Sequence, residues 1–167
     1  MANLIDTLHE GGTFTTFIRA IKMTEIAATL REPGAYTMFA PTDLAFAKMK
    51  AEQVEGLFED YYSMSKLVKY HIAQGLYRTT DLLDRVFLKT LEGQRLMIES
   101  AATSERDTET LEDGTDVHGY VVRDVVTTTL LESILVEGAR IVRGNVSADN
   151  GIIHVIDKVL VPHFMIV

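Results

Sequence analysis

The stretch Gly144–Pro162 constrains the fold of this 167-residue chain more than any other. It reads as two apolar strands hinged at Asp149-Asn150-Gly151. Asn-Gly tolerates the positive φ values that tight hairpin turns use, so the flanks are expected to fold back on each other. From Ile152 the residues are apolar almost without interruption to Val161, broken by His154, Asp157 and Lys158. Such a run suits a strand packed on both faces, and Pro162 ends it.

A second block, Tyr36–Met49, begins as a short β-branched and aromatic strand through Phe39, turns at Pro41 and continues as a helix. Thr42 or Asp43 stands where an N-cap accepts the first free backbone N–H groups. Between the blocks, Met64, Leu67, Val68, His71 and Ile72 share one helical face, with Ser63 as the expected N-cap and Gly75 as the stop. Earlier, the spacing of Phe14, Phe17, Ile18 and Ile21, and then of Ile26 and Leu30, is helical, and Pro33-Gly34 punctuates before Tyr36.

Val54, Leu57, Phe58 and Tyr61 form a further apolar stripe. Thr79 and Thr80 are read as caps of a short helical turn through Leu82 and Leu83. Val86 to Leu91 and Arg95 to Ile98 read as strands joined at Glu92-Gly93. Ile134 to Val136 and Ala139 to Val142 form a hairpin through Glu137-Gly138. Helices segregated in the first half and hairpins in the second predict an α+β fold rather than alternating βαβ.

Three motifs carry a resemblance: Tyr36–Met49, the segment Leu67-Val68-Lys69-Tyr70-His71-Ile72, and Gly144–Pro162. In that order they resemble the fasciclin-type (FAS1) adhesion-domain family, over residues 1–100 and 133–162. The resemblance implies a FAS1 fold, a twisted antiparallel β-sandwich or wedge with a helical layer packed at one side. It makes Phe39, Pro41, Thr42, Asp43, Asn150, Gly151, His154 and Asp157 motif residues with structural roles. It also implies that Tyr70 and His71 match the family's Tyr-His pair, associated with fold integrity and, in animal adhesion proteins, with integrin binding. No Arg-Gly-Asp triplet is present.

The chain reads as a single domain over 1–167, large enough to bury a core without cross-links. Residues 101–132 depart from the family pattern and read as an insertion. Ala101 to Asp116 is polar and acidic, with the composition of a mobile loop. Tyr120 to Leu131, with Tyr120, Val121 and Val122, is β-prone and reads as an arm extending the sheet. An added edge strand either needs covering or offers itself to a second chain, so two outcomes stand open: self-association through this arm, with Tyr120 and Val122 as interaction residues, or an arm folded back over its own domain.

Composition narrows the function classes. The chain holds no cysteine, which removes thiolate chemistry and Cys-based zinc sites. It carries 16 basic against 24 acidic residues, a net charge of −8, and no clustered basic face for nucleic acid. Arg140, Arg143 and Lys158 alternate with apolar residues and read as solvent-facing strand positions. No run reaches the roughly 18 apolar residues needed to span a bilayer, so no membrane insertion is expected. Polar and acidic residues by Asp6 and Glu10 do not fit a signal peptide. The chain therefore reads as cytoplasmic as written, and as secreted or surface-attached if a leader has been removed. The sequon Asn145-Val146-Ser147 matters only in the second case.

No catalytic constellation stands out. His71 could act as a base oriented by Asp43, but a histidine on an apolar helical face reads as a buried structural group. His154 and Asp157, three apart on a strand, fall on opposite faces and do not share an ion. The acidic loop fails the EF-hand pattern at Leu111 and Glu112. Neither a nucleophile elbow nor a P-loop occurs. The expectation is a non-catalytic protein-interaction or adhesion module, without cofactor, metal or catalytic residues, binding a protein of unidentified kind through surface strands and loops. The alternative is a carrier for a hydrophobic small molecule, carotenoid or lipid-like, with Met38, Met49 and Met64 lining an adaptable pocket.

Overall fold

The computed structural model describes residues 2–100 and 134–162. The insertion, with Tyr120 and Val122, lies outside the described residues. Helices α1 (Leu4–Gly11), α2 (Thr15–Lys22) and α3 (Ile26–Thr29) lead into strand β1 (Tyr36–Pro41). Helices α4 (Asp43–Ala47), α5 (Ala51–Glu59) and α6 (Tyr61–Tyr70) follow, then β2 (Ile72–Gln74), α7 (Thr79–Leu82), β3 (Phe87–Lys89) and β4 (Arg95–Ser100). Strands β5 (Ile134–Val136), β6 (Ala139–Ala148) and β7 (Gly151–Ile156) complete the described fold.

The strands form one sheet in the order β2-β1-β7-β6-β5-β4-β3. Neighbours pair antiparallel except β1 with β7, which run parallel in register from Tyr36↔Gly151 to Pro41↔Ile156. The sheet is thus mixed, an α+β wedge whose two named motifs lie side by side. All six residues of β7 are buried, which accounts for its continuous apolar run.

Alternation along these strands builds two cores. Met38, Ala40, Ile153 and Val155 point to the helical layer and pack with Leu4, Leu8, Phe17, Ile21, Met64 and Leu67. Phe39 and Ile156 point to the other side and pack with Leu88, Leu96, Ile98, Val136 and Ile141. Strands far apart in the sheet order share this second core, so the sheet curls on itself. Leu91 N–H donates to Ile72 carbonyl at 2.8 Å, tying the segment after β3 to β2 and covering both edges.

Several local expectations are corrected. Asn150 and Gly151 do not adopt positive φ. Among residues 134–162 the positive values fall at Asn145 (59°) and at Glu137-Gly138 (48° and 82°), a two-residue hairpin turn joining β5 to β6. Asp60, not Ser63, caps α6: its Oδ1 accepts from Tyr62 and Ser63 N–H. Helix α6 ends at Tyr70 rather than at Gly75, because residues 72–74 pair with β1 instead. Thr79 lies inside α7, and β3 is confined to residues 87–89.

Thr42 is the N-cap of α4, accepting from Ala45 N–H at 3.2 Å. Asp43 caps a different helix. Its Oδ1 accepts from Thr16 N–H at 2.8 Å, while its own N–H donates to Thr13 carbonyl at 2.9 Å. Helix α2 has no cap of its own, since Phe14 precedes it. Asp43→Ala removes the α2 cap and should cost about 1 kcal/mol, lowering the melting temperature by about 3 °C. Thermal denaturation of the variant checks this, and an unchanged midpoint would show that the contact contributes nothing.

Candidate functional site

The motif residues converge where β1 and β7 meet. Phe39 pairs with His154, and their rings lie 5.7 Å apart. His154 is fully buried and both ring nitrogens are committed: Nε2–H donates to Tyr77 carbonyl at 2.7 Å, and Nδ1 accepts from Asn145 N–H at 3.1 Å. Burial pushes its pKa below the usual histidine value, and the nearby Arg78 charge adds to the effect.

His71 has the opposite tautomer. Its Nδ1–H donates to Leu67 carbonyl at 2.8 Å and Nε2 accepts from Leu160 N–H at 2.9 Å, with the ring 5.4 Å from that of Phe17. Burial brings its pKa down to about 4. No bond joins it to Asp43, whose carboxylate is taken by Thr16 N–H. A histidine held neutral with both nitrogens on backbone has no lone pair left for a substrate proton. Tyr70, beside it, is also buried, and its hydroxyl finds no hydrogen-bond partner among the described residues. Burial first, and then the charges of Glu137 and Glu92, raise this phenol to about 12. Neither Tyr70 nor His71 presents its side chain at the described surface.

Asp157 closes the β6–β7 pair: Oδ1 accepts from Arg140 N–H at 2.9 Å, and its carbonyl accepts from Lys48 Nζ at 2.8 Å. His154 and Asp157 are therefore each bound to backbone and not to a shared centre. Among the described residues, no group of three or more His, Asp or Glu side chains is placed to hold a metal ion. Met38 and Met64 are core residues, whereas Met49 lines a cleft of about 230 Å³ with Leu57 and Leu67.

Asn150 does more than a turn residue needs to. It is 2 % exposed; its Oδ1 accepts from Leu4 N–H at 2.9 Å, and its Nδ2 donates to Leu30 carbonyl at 2.6 Å and Glu32 carbonyl at 3.1 Å. Its own carbonyl accepts from Tyr36 N–H, so α1, the end of α3, β1 and the β6–β7 turn meet on one side chain and its peptide.

Sequence reasoning read Asn145 only as part of a sequon and missed its structural role. Its side chain bonds Thr79 in both directions, Oδ1 to Thr79 N–H and Nδ2 to Thr79 Oγ1, each at 3.0 Å. Gly144 inside a strand pattern was the available signal, since an isolated strand glycine marks a bulge. At the surface, Val86, Phe87 and Met97 are exposed on β3–β4, with the Arg95 guanidinium 4.4 Å over the Phe87 ring. No helix among the described residues is long and apolar enough to cross a membrane.

Known proteins resemble this chain. The family model for the fasciclin domain matches residues 12–162. An uncharacterized protein of Synechocystis sp. is 27 % identical over 160 residues, which cover 96 % of this chain and 98 % of that protein. Human periostin is 24 % identical over 162 residues, 96 % of this chain but 16 % of periostin. The solved FAS1 domain pair of the insect cell adhesion molecule Fasciclin I superposes with a TM-score of 0.70 at 19 % identity, covering 99 % of this chain and 53 % of that one. With the family model spanning most of its length and the two motifs paired strand to strand, this chain belongs to the fasciclin-domain family.

Proposed function

We propose that this domain is a non-catalytic protein-interaction module of the adhesion type, which binds a protein partner through its surface strands and loops. The observation that carries this reading is the commitment of the motif's polar groups. Both histidines, Asn150 and Asp157 spend their hydrogen bonds on the backbone of the domain itself. Apolar side chains, by contrast, are displayed on the outer face of β3–β4, where Phe87 and Met97 are directly paired across the strands. Exposed aromatic and methionine side chains are typical interface anchors. The fold likeness to an insect adhesion molecule supports the same class.

On this reading Tyr70 and His71 act on binding only through the scaffold, by anchoring the end of α6 to the segment at Leu160. The arm carrying Tyr120 and Val122 is proposed as the self-association element. The carotenoid-sized carrier draws less support: among the described residues the apolar clefts, of about 230 and 250 Å³, fall below the ~300–1,000 Å³ of drug-sized sites, and a wider hollow of about 570 Å³ is lined by the charged Asp81, Asp84 and Arg85.

Affinity capture from the source organism tests the proposal, using wild type, a Phe87→Ser/Met97→Ser variant and a 101–132 deletion. The expected result is a specific protein partner that is lost with the surface variant at unchanged melting temperature. Light scattering of the deletion variant reports on self-association. Turnover in a broad ester, peptide and glycoside screen, abolished by a point substitution, would overturn the non-catalytic reading.

A further inference from the structure

Strand β6 does not follow β7 regularly. Ile141 pairs with Ile156, but Arg143 then pairs with Val155 and Val146 with Ile153, so the ladder slips twice within six residues. Strict alternation from Ile141, which faces the second core, would aim Arg143 into that core as well. The slip at Val142 instead turns Arg143 to the face of Val155, the side of the helical layer. The second slip, where Gly144 and Asn145 stand opposite His154, returns Val146 to that same face. Bulges re-aim side chains in this way and are common beside binding sites.

The result is a cleft of about 250 Å³ between the α1–α2 turn and the bulged stretch of β6. Its floor is apolar: Leu8, Phe14, Val146, Ile153 and Val155 line it. Arg143 lines it too, is exposed, and makes no hydrogen bond or ion pair with any described residue. Thr13 adds a second side-chain donor to the lining. Among the described residues no carboxylate lines the cleft, although acidic residues outnumber basic ones by 24 to 16 along the chain. An apolar floor beside one cation is complementary to a molecule with an alkyl chain and one negative charge.

We propose that this cleft binds a short aliphatic monocarboxylate, with the alkyl chain on the Leu8–Phe14–Ile153 floor and the carboxylate on Arg143. The proposal is independent of the protein-binding reading, because the cleft lies on the helical side of β6 and the Phe87–Met97 pair on β3–β4.

Titration of the full chain with octanoate, octanol and octylammonium, followed by backbone amide chemical shifts, tests it. Octanoate should bind saturably, moving the amides of Thr13, Val142 and Val146, and should bind tenfold or more tightly than octanol, with octylammonium weakest. Arg143→Gln should bring octanoate to the level of octanol, whereas Arg140→Gln, which alters a cation outside the cleft lining, should leave it unchanged. Absence of saturable shifts at these amides, or equal octanoate affinity in wild type and Arg143→Gln, would overturn the proposal.

Discussion

Asn150→Ala is expected to be among the most damaging polar substitutions in the described part of the chain. It leaves Leu4 N–H and Leu30 carbonyl without their buried partner, and Glu32 carbonyl without its own. Each unsatisfied buried group costs about 1–3 kcal/mol, so a total loss of about 4 kcal/mol and a fall in melting temperature of about 10 °C are expected. Asn150→Asp discriminates the mechanism. It keeps an acceptor for Leu4 N–H but sets a carboxylate oxygen against two carbonyls, so it should be no milder than alanine at neutral pH. Thermal melts of both variants provide the check. Midpoints within about 2 °C of wild type would show that the three bonds do not hold the helices to the sheet.

The same corner shows where sequence reasoning reached and where it stopped. The Asn-Gly pair was legible as the hinge between β6 and β7, but for a reason the structure does not use. Neither residue needs positive φ. Asparagine is required because its amide has one acceptor and two donor hydrogens, all of them used, and glycine because a Cβ at 151 would stand 2.3 Å from Tyr36 carbonyl oxygen. Both requirements come from chain segments more than a hundred residues away, which no local pattern encodes.

The parallel pairing of β1 with β7 was hidden for the same reason. Periodicity shows that a strand is buried on both faces, not which neighbour buries it. Helix α6 kept its apolar period through Ile72, and only pairing with β1 converted residues 72–74 to strand. Asp43 was legible as a cap but not as the cap of α2. The two motifs of the site were readable because apolar alternation, turns and caps are local. The bulges that place Arg143 were not, because they are defined by register against a partner strand.

Mild acid should destabilise this domain well before its carboxylates protonate. His71 has a folded pKa of about 4 against an ordinary value of 6.5, so the unfolded chain binds its proton first as pH falls. Stability from this group is fully present above about pH 6.5, declines below it, and levels off near the folded value. The loss is about 2 kcal/mol at pH 5 and about 3 kcal/mol by pH 4. His154, also pushed down by burial, acts in the same direction. Glu25 acts lower: the Tyr61 hydroxyl, foremost among its partners, holds it at about 2, so its contribution is lost only between about pH 4.5 and 2. Urea denaturation at pH 7.5 and pH 5 therefore isolates the histidines. Wild type should lose stability between the two, and His71→Gln, whatever its stability at pH 7.5, should lose distinctly less. Equal wild-type midpoints at both pH values would mean that the ring takes up a proton without leaving its place between Leu67 and Leu160. A buried imidazole whose two nitrogens are held by a carbonyl and an amide N–H has no room for that second proton, since the Leu160 N–H would then face another donor.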